Sequence, residues 1–191
     1  PFKVVVEQEH LETRTLILAN GASARLLGLE AEKKLMGHGV STCATCDGYF
    51  YRGRKVVVVG GGDSAMEEAT FLTKFATAVT VVHRRDQFRA SKIMLDRARH
   101  NERIQFVLDT LVEDIYDPEQ GTVTGVKLRN VKSGATSDYP TDGVFLAIGH
   151  VPNTGVVREQ IDLDPDGYVL TRDHVYTNVE GVFAAGDAQD R

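Results

Sequence analysis

The chain has 191 residues, enough for one large domain or two small ones. Its 42% hydrophobic and 26% charged content is ordinary for a globular protein, and its longest apolar runs, such as "GVFLAIG", are too short to span a bilayer. A net charge of -5 argues against general electrostatic attraction to nucleic acid or to an anionic membrane.

The sequence begins without Met or a signal-peptide pattern and enters strand-like alternation at once. Its last residues, "GVFAAGDAQDR", stop just behind a strand, so both ends are expected to continue into further protein. Residues 3–7 and 13–19 predict two strands joined by a polar turn. Residues 20–40 read as a glycine-bearing connection and the first candidate domain boundary. The run "KVVVV" (55–59) predicts a strand covered on both faces, followed by a helix over 63–76 and a strand over 78–83. An amphipathic helix over 87–101 and a strand over 104–110 complete a β-α-β-α-β alternation, which implies right-handed crossovers and a doubly wound parallel sheet. The rhythm then changes. Residues 111–118, 121–131 and 134–140 predict an antiparallel meander that returns to a last apolar strand at 143–149. Beyond a Pro-Gly connection, a second candidate boundary, strands are expected within 166–171 and 180–187. No repeat or low-complexity segment interrupts the pattern.

The strand at 55–59 runs into "GGGDSA", which fits G-x-G-x-x-A with Gly60, Gly62 and Ala65. Gly60 permits the tight turn, Gly62 lets backbone approach a pyrophosphate, and Ala65 is small enough for close helix–strand packing. The helix N-terminus supplies a positive dipole and Ser64 a hydroxyl, so Gly60, Gly61, Gly62, Asp63, Ser64 and Ala65 form the candidate phosphate cradle. Proteins that use NAD carry an acid at the end of the second strand for the ribose diol. Here that strand ends at His83, followed by Arg84, Arg85 and Arg89. Guanidinium groups bind a 2′-phosphate bidentately where an acid would repel it, so the cluster favours NADP over NAD.

The only two cysteines form C-A-T-C at Cys43 and Cys46. A structural zinc site calls for four ligands; no second pair exists and the histidine spacings do not match, so no metal is expected. A purely structural disulfide would close too short a loop to add much stability. The favoured reading is a reversible redox pair, in which one thiolate attacks an external disulfide and the other resolves it. Asp47 follows directly. It reads equally as an acid exchanging a proton with the dithiol or as a turn residue before Gly48.

The segment "GHGVSTCATCDGYFYRGRKVVVVGGGDSAMEEATFLTKF", followed by "VTVVHRRDQFRASKIMLDRA", resembles the NADPH domain of the low-molecular-weight thioredoxin reductases of bacteria and plants. The resemblance covers essentially the whole chain. It implies a Rossmann-like three-layer α/β domain with a parallel sheet and a β-meander at 28–151, flanked by partial FAD-domain segments at 1–27 and 152–191. It implies that Cys46 faces the flavin, Cys43 attacks thioredoxin, and Asp47 serves the dithiol as its acid. It further implies that Ser64, His83, Arg84, Arg85 and Arg89 hold NADPH, that Ile148 and Tyr168 line that site, and that Asp187 contacts FAD. Asn20 is a further cofactor-binding candidate, standing where the family often has Thr. Glu30 replaces a frequent Pro, and His38 a usual Arg or Lys. No second glycine fingerprint for FAD is present, so the sequence is expected to be the central portion of a reductase and to bind NADPH with little turnover by itself.

In the intact family, electrons pass from NADPH through FAD to the dithiol and then to thioredoxin. The lobe is expected to swing about connections near 24–30 and 150–155. A homodimer in the cytoplasm is the implied setting. The competing expectations are a flavoprotein that reduces another dithiol partner, such as a peroxidase system, and a nucleotide-binding module without turnover.

Overall fold

A computed structural model describes residues 1–190, so Arg191, the end of the segment expected at 152–191, lies outside the described residues. The chain divides into two compact units, one formed by Ala24–Gly149 and the other by Pro1–Ser23 with the stretch from His150 on.

In the discontinuous unit, β1 (Phe2–Val6) and β2 (Glu9–Thr13) form an antiparallel hairpin that turns at Glu7, whose φ is 54°. Separate strands β3 (Leu16–Leu18) and β4 (Ala22–Ala24) follow. The single strand expected at 13–19 is therefore corrected to the end of β2 plus β3. The sequence of β2, "EHLET", is exposed over four of its five residues and so carries no hydrophobic stripe to betray it.

The larger unit opens with α1 (Glu30–Leu35), inside what the sequence reads only as a connection, and the two-residue strand β5 (Val40–Ser41). Its short length and its first-turn acids gave a weak helical signal. Glu32 of α1 is fully buried, with Oε2 accepting a 2.6 Å hydrogen bond from the Leu27 backbone N–H. Next come α2 (Ala44–Asp47), β6 (Lys55–Gly60), α3 (Asp63–Leu72), β7 (Ala78–Val82), α4 (Lys92–Arg99) and β8 (Ile104–Val107). The expected helix over 87–101 is trimmed because Ser91 is its N-cap, accepting from Met94 N–H. The strand expected at 104–110 breaks at Asp109, whose φ is 52°. The meander consists of β9 (Thr110–Ile115), β10 (Gly125–Asn130) and β11 (Thr136–Pro140), after which β12 (Gly143–Ala147) returns to the main sheet.

That sheet is all parallel, in the order β5-β12-β6-β7-β8. Its valines alternate between two cores, as period-2 side chains must. Val56, Val58, Val79 and Val81 pack with α3 and α4; Val57, Val59 and Val82 pack with α1 and the meander through Val112, Ile115 and Val126. Helices, parallel sheet and meander thus make three layers. The chain leaves β6 for β7 on one side and comes back to β12 on the other, which opens a crevice at the C-terminal ends of β6 and β12.

The chain then returns to the discontinuous unit with β13 (His150–Pro152), which pairs with β4, and β14 (Val182–Ala184), which runs parallel to β3. Residues 166–171, expected as a strand, make only an isolated bridge between Leu163 and Val169. Leu18, Val157, Ile161, Val169, Val182 and Ala184 form this unit's own core. Among the described residues, no helix is long and apolar enough to cross a membrane.

Candidate functional site

The glycine turn sits in the crevice between β6 and β12. Gly60 pairs with Ala147. A Cβ on Gly60 would lie 2.3 Å from the Ala147 carbonyl oxygen and 2.7 Å from the Ala65 Cβ, so strand and helix meet too closely there for any side chain. Gly62 is the N-cap of α3, brings no side-chain cap, and has nothing within 4 Å of an added Cβ. Open space therefore lies over the start of α3, where a helix N-terminus can hold a phosphate. Ser64 is exposed in that turn, while Ala65 is fully buried beneath it.

Gly61 has a role that the motif alone does not reveal. An added Cβ would stand 2.3 Å from two atoms of the His83 ring, so the imidazole lies flat against this glycine. His83 is only 7% exposed, stacks on Phe88 at 5.2 Å, and has Nε2 3.1 Å from the Gln87 carbonyl oxygen. Burial, and then the charges of Arg84, Arg85 and Arg89, push its pKa below the ordinary imidazole value, against the Gln87 carbonyl. The ring is thus a wedge between cradle and arginine loop.

The loop after β7 is stitched back to the cradle. Arg89 N–H and Ala90 N–H both donate to the Gly61 carbonyl, at 2.8 and 3.1 Å, and Ser91 N–H donates to Asp63 Oδ1 at 2.6 Å. Asp63 thereby fixes the arginine loop against the start of α3. Arg84, Arg85 and Arg89 line a cavity of about 430 Å³.

Cys43 and Cys46 form a disulfide, with Cα atoms 5.3 Å apart. Cys43 caps α2: its Sγ accepts from Cys46 N–H at 3.2 Å, and its own N–H donates to Ser41 Oγ at 3.0 Å. Cys46 is exposed and Cys43 half-buried. Asp47 ends α2, half-buried, and lines a cavity of about 180 Å³ with His38, Tyr51, Arg54 and Asp142. Burial, and then the Asp47 carboxylate, push the Tyr51 hydroxyl pKa up, against Arg54. The turn after α2 packs on α3, since a Cβ on Gly48 would lie 3.1 Å from Leu72. Among the described residues no group of three or more His, Cys, Asp or Glu is placed to hold a metal ion.

The structure thus brings Gly60 through Ala65, His83, Arg84, Arg85 and Arg89 to one place, with Ile148 just past the end of β12, half-buried against the meander core. Asn20, Tyr168 and Asp187 belong to the other unit. The Asn20 side-chain amide donates to the Asn153 carbonyl, and Asn153 Nδ2 returns a 3.0 Å bond to the Asn20 carbonyl. Tyr168 N–H donates to Asp164 Oδ1 at 3.0 Å, and Asp187 is exposed in the turn that follows β14. Sequence reasoning missed two charged residues. Glu68 lies on α3 with Oε2 buried and unpaired, a misfit visible as an acid at helical spacing from buried Ala65 and Leu72. Lys132, on the β10–β11 turn, reaches the arginine cavity through a contact that no local pattern announces.

Residues 2–191, which carry both the glycine cradle and the dithiol, match the family model of the pyridine nucleotide-disulphide oxidoreductases; the chain belongs to that family. Over 189 residues, 98% of this chain and 60% of the relative, it is 57% identical to the thioredoxin reductase of Mycolicibacterium smegmatis. It is 52% identical over 194 residues to the bifunctional thioredoxin reductase/thioredoxin of Mycobacterium leprae, a match covering 100% of this chain and 42% of that protein. Among solved structures, the thioredoxin reductase of Streptococcus pyogenes MGAS5005 superposes with a TM-score of 0.83 at 44% identity, covering 99% of this chain and 61% of that one. The Lactococcus lactis thioredoxin reductase gives a TM-score of 0.86 at 38% identity, covering 99% and 62%. The chain spans 42% to 60% of the length of these two curated relatives.

Proposed function

We propose that this chain is the NADPH-binding, dithiol-bearing part of a flavoprotein that reduces the disulfide of thioredoxin. The observation that carries the reading is the joining of two sites by one helix: α3 begins at the glycine cradle, and the turn after the Cys43–Cys46 disulfide packs on its far end. The residues fit a phosphorylated dinucleotide. The close approach at Gly60, the open space over Gly62 and the arginine-lined cavity leave room and charge for a pyrophosphate and a 2′-phosphate. Gly60 through Ala65 would hold the pyrophosphate with the Ser64 hydroxyl, Arg84, Arg85 and Arg89 the 2′-phosphate, His83 the shape of the loop, and Ile148 would line the remainder. For FAD, this chain offers the exposed groups of Asp187 and Asn20. When bound, the nicotinamide supplies a hydride and the flavin relays the electron pair.

The chain's own chemistry is thiol exchange. In the reduced state the Cys43 thiolate attacks the thioredoxin disulfide and forms a mixed disulfide, releasing one thioredoxin thiolate. The Cys46 thiolate then attacks Cys43 Sγ, re-forming the observed bond and releasing the second. Asp47, which follows Cys46 directly in the sequence, exchanges protons with the dithiol. The names of the relatives support thioredoxin as the partner, and a cytoplasmic homodimer is the setting that we propose for the intact enzyme.

Isothermal titration of the chain with NADPH and NADH tests the nucleotide half of the proposal. Tighter binding of NADPH is expected, and Arg84→Ala with Arg85→Ala should erase the difference; equal affinity in the unaltered chain refutes it. In the intact enzyme, Cys43→Ser should abolish thioredoxin reduction while NADPH still bleaches the flavin. Retained thioredoxin reduction would sink the assignment of Cys43.

A further inference from the structure

We propose that Lys132 is a further specificity-determining residue of the nucleotide site, a cation that the β10–β11 turn delivers to the cavity lined by the arginines, where it would meet the 2′-phosphate. The inference rests on the reading that the arginine cavity receives NADPH. Residues 84–89, which include the three arginines, line that cavity together with Asp109, Val131 and Lys132.

The position of Lys132 is built rather than incidental. Asn130 Oδ1 accepts from Lys132 N–H at 3.0 Å and from Ser133 N–H at 2.9 Å, which fixes the turn. Val131 N–H donates to the Asp109 carbonyl at 2.7 Å, and Asp109 N–H donates to the Arg85 carbonyl at 3.3 Å. The turn is therefore tied, through Asp109, to the loop that carries the arginines. Asp109 holds a left-handed φ of 52°, a backbone geometry that costs energy in a residue with a side chain and marks the junction.

Charge balance gives the ligand class. Lys132 Nζ lies 3.1 Å from Asp86 Oδ2 and 3.0 Å from Asp109 Oδ2. An ammonium has three N–H donors, and these carboxylates take two, leaving one for a ligand on a side chain that is 61% exposed. The cavity lining carries four cations, Arg84, Arg85, Arg89 and Lys132, against two carboxylates, Asp86 and Asp109. The surplus of two positive charges matches a phosphomonoester dianion. A ribose diol carries no charge and gains nothing from that surplus. Asp86 and Asp109 hold the ammonium in the site before the ligand arrives, so the cluster does not repel itself apart.

A merely structural lysine would affect both nucleotides alike, and this separates the alternatives. The chain and its Lys132→Met and Lys132→Arg variants are titrated with NADPH, NADH, 2′,5′-ADP and 5′-AMP at 50 and 200 mM salt. Lys132→Met is expected to weaken NADPH and 2′,5′-ADP by about fivefold to tenfold, with NADH and 5′-AMP within about twofold. Lys132→Arg should recover most of the loss, and the salt dependence of NADPH binding should be shallower in Lys132→Met than in the unaltered chain. If the unaltered chain prefers NADPH and Lys132→Met keeps the whole preference, this proposal fails while the arginine site stands. Equal loss for both nucleotides reduces Lys132 to a scaffold and also overturns it. No preference in the unaltered chain removes the arginine site and this proposal together.

Discussion

Glu68 gives the sharpest quantitative expectation. It lies on α3 with one carboxylate oxygen buried and unpaired, and burial, followed by the neighbouring charge of Glu67, raises its pKa from 4.5 to about 7. Desolvation penalises the charged form, so the folded protein holds this proton at pH values where the unfolded chain has released it. The contribution to stability is complete below pH 4.5 and is lost as pH rises through about 7. A shift of that size corresponds to at most ~3.4 kcal/mol. Because the side chain is only partly buried, water lowers this to about 1–2 kcal/mol. Glu68→Gln keeps the shape and removes the ionisation. Thermal unfolding followed by circular dichroism should find the variant and parent alike at pH 4.5. At pH 8.5 the variant should melt about 2–8 °C higher, at about 2–4 °C per kcal/mol for a chain of this size. A constant difference between the two melting temperatures across that range would refute the reasoning.

Two packing predictions follow from the glycines. Gly61→Ala drives a methyl group into the His83 ring and should cost about 1–3 kcal/mol in urea unfolding. In a His83→Ala background the same change should cost at least ~1 kcal/mol less, and strict additivity in the double-mutant cycle would show that the ring does not rest on the glycine. Gly143→Ala places a Cβ 2.1 Å from the Tyr51 ring, which itself packs edge-on against Phe145 at 5.0 Å. It should destabilise by about 1–3 kcal/mol, and Tyr51→Ala should absorb most of that loss in the same measurement.

What could be read from the sequence was what the chain encodes locally. Four successive valines before a glycine turn leave few alternatives to a buried parallel strand, and β6 lies where that run predicts. The meander was legible because glycine, proline and aspartate mark its turns at regular intervals. The only cysteines, two residues apart, meet in a disulfide. What escaped was either too short or too distant. Helix α2 spans four residues and depends on a cysteine sulfur as its cap, which no propensity scale registers. β2 shows no alternation because it buries little. The ring of His83 was grouped with the arginines by proximity in sequence, yet it turns inward against Gly61 while they line the cavity, a difference set by tertiary packing. Lys132 joins the arginine loop only because the β9–β10 ladder carries the turn back past Asp109.

The juxtaposition of dithiol and cradle has a mechanical consequence. From the disulfide, the chain passes through α2 into the turn containing Gly48, which abuts Leu72 of α3, and then to Tyr51, whose ring covers Gly143 at the start of β12. β12 ends at Ala147, whose carbonyl presses on Gly60 at the cradle, and Gly60 in turn abuts Ala65 of α3. The contacts therefore close a ring of buried neighbours through helix and strand, with the redox pair at one point and the phosphate turn at another. Interiors packed this tightly transmit displacement instead of absorbing it. The distance between the two sites is accordingly a property of the larger unit's core and not of a loop.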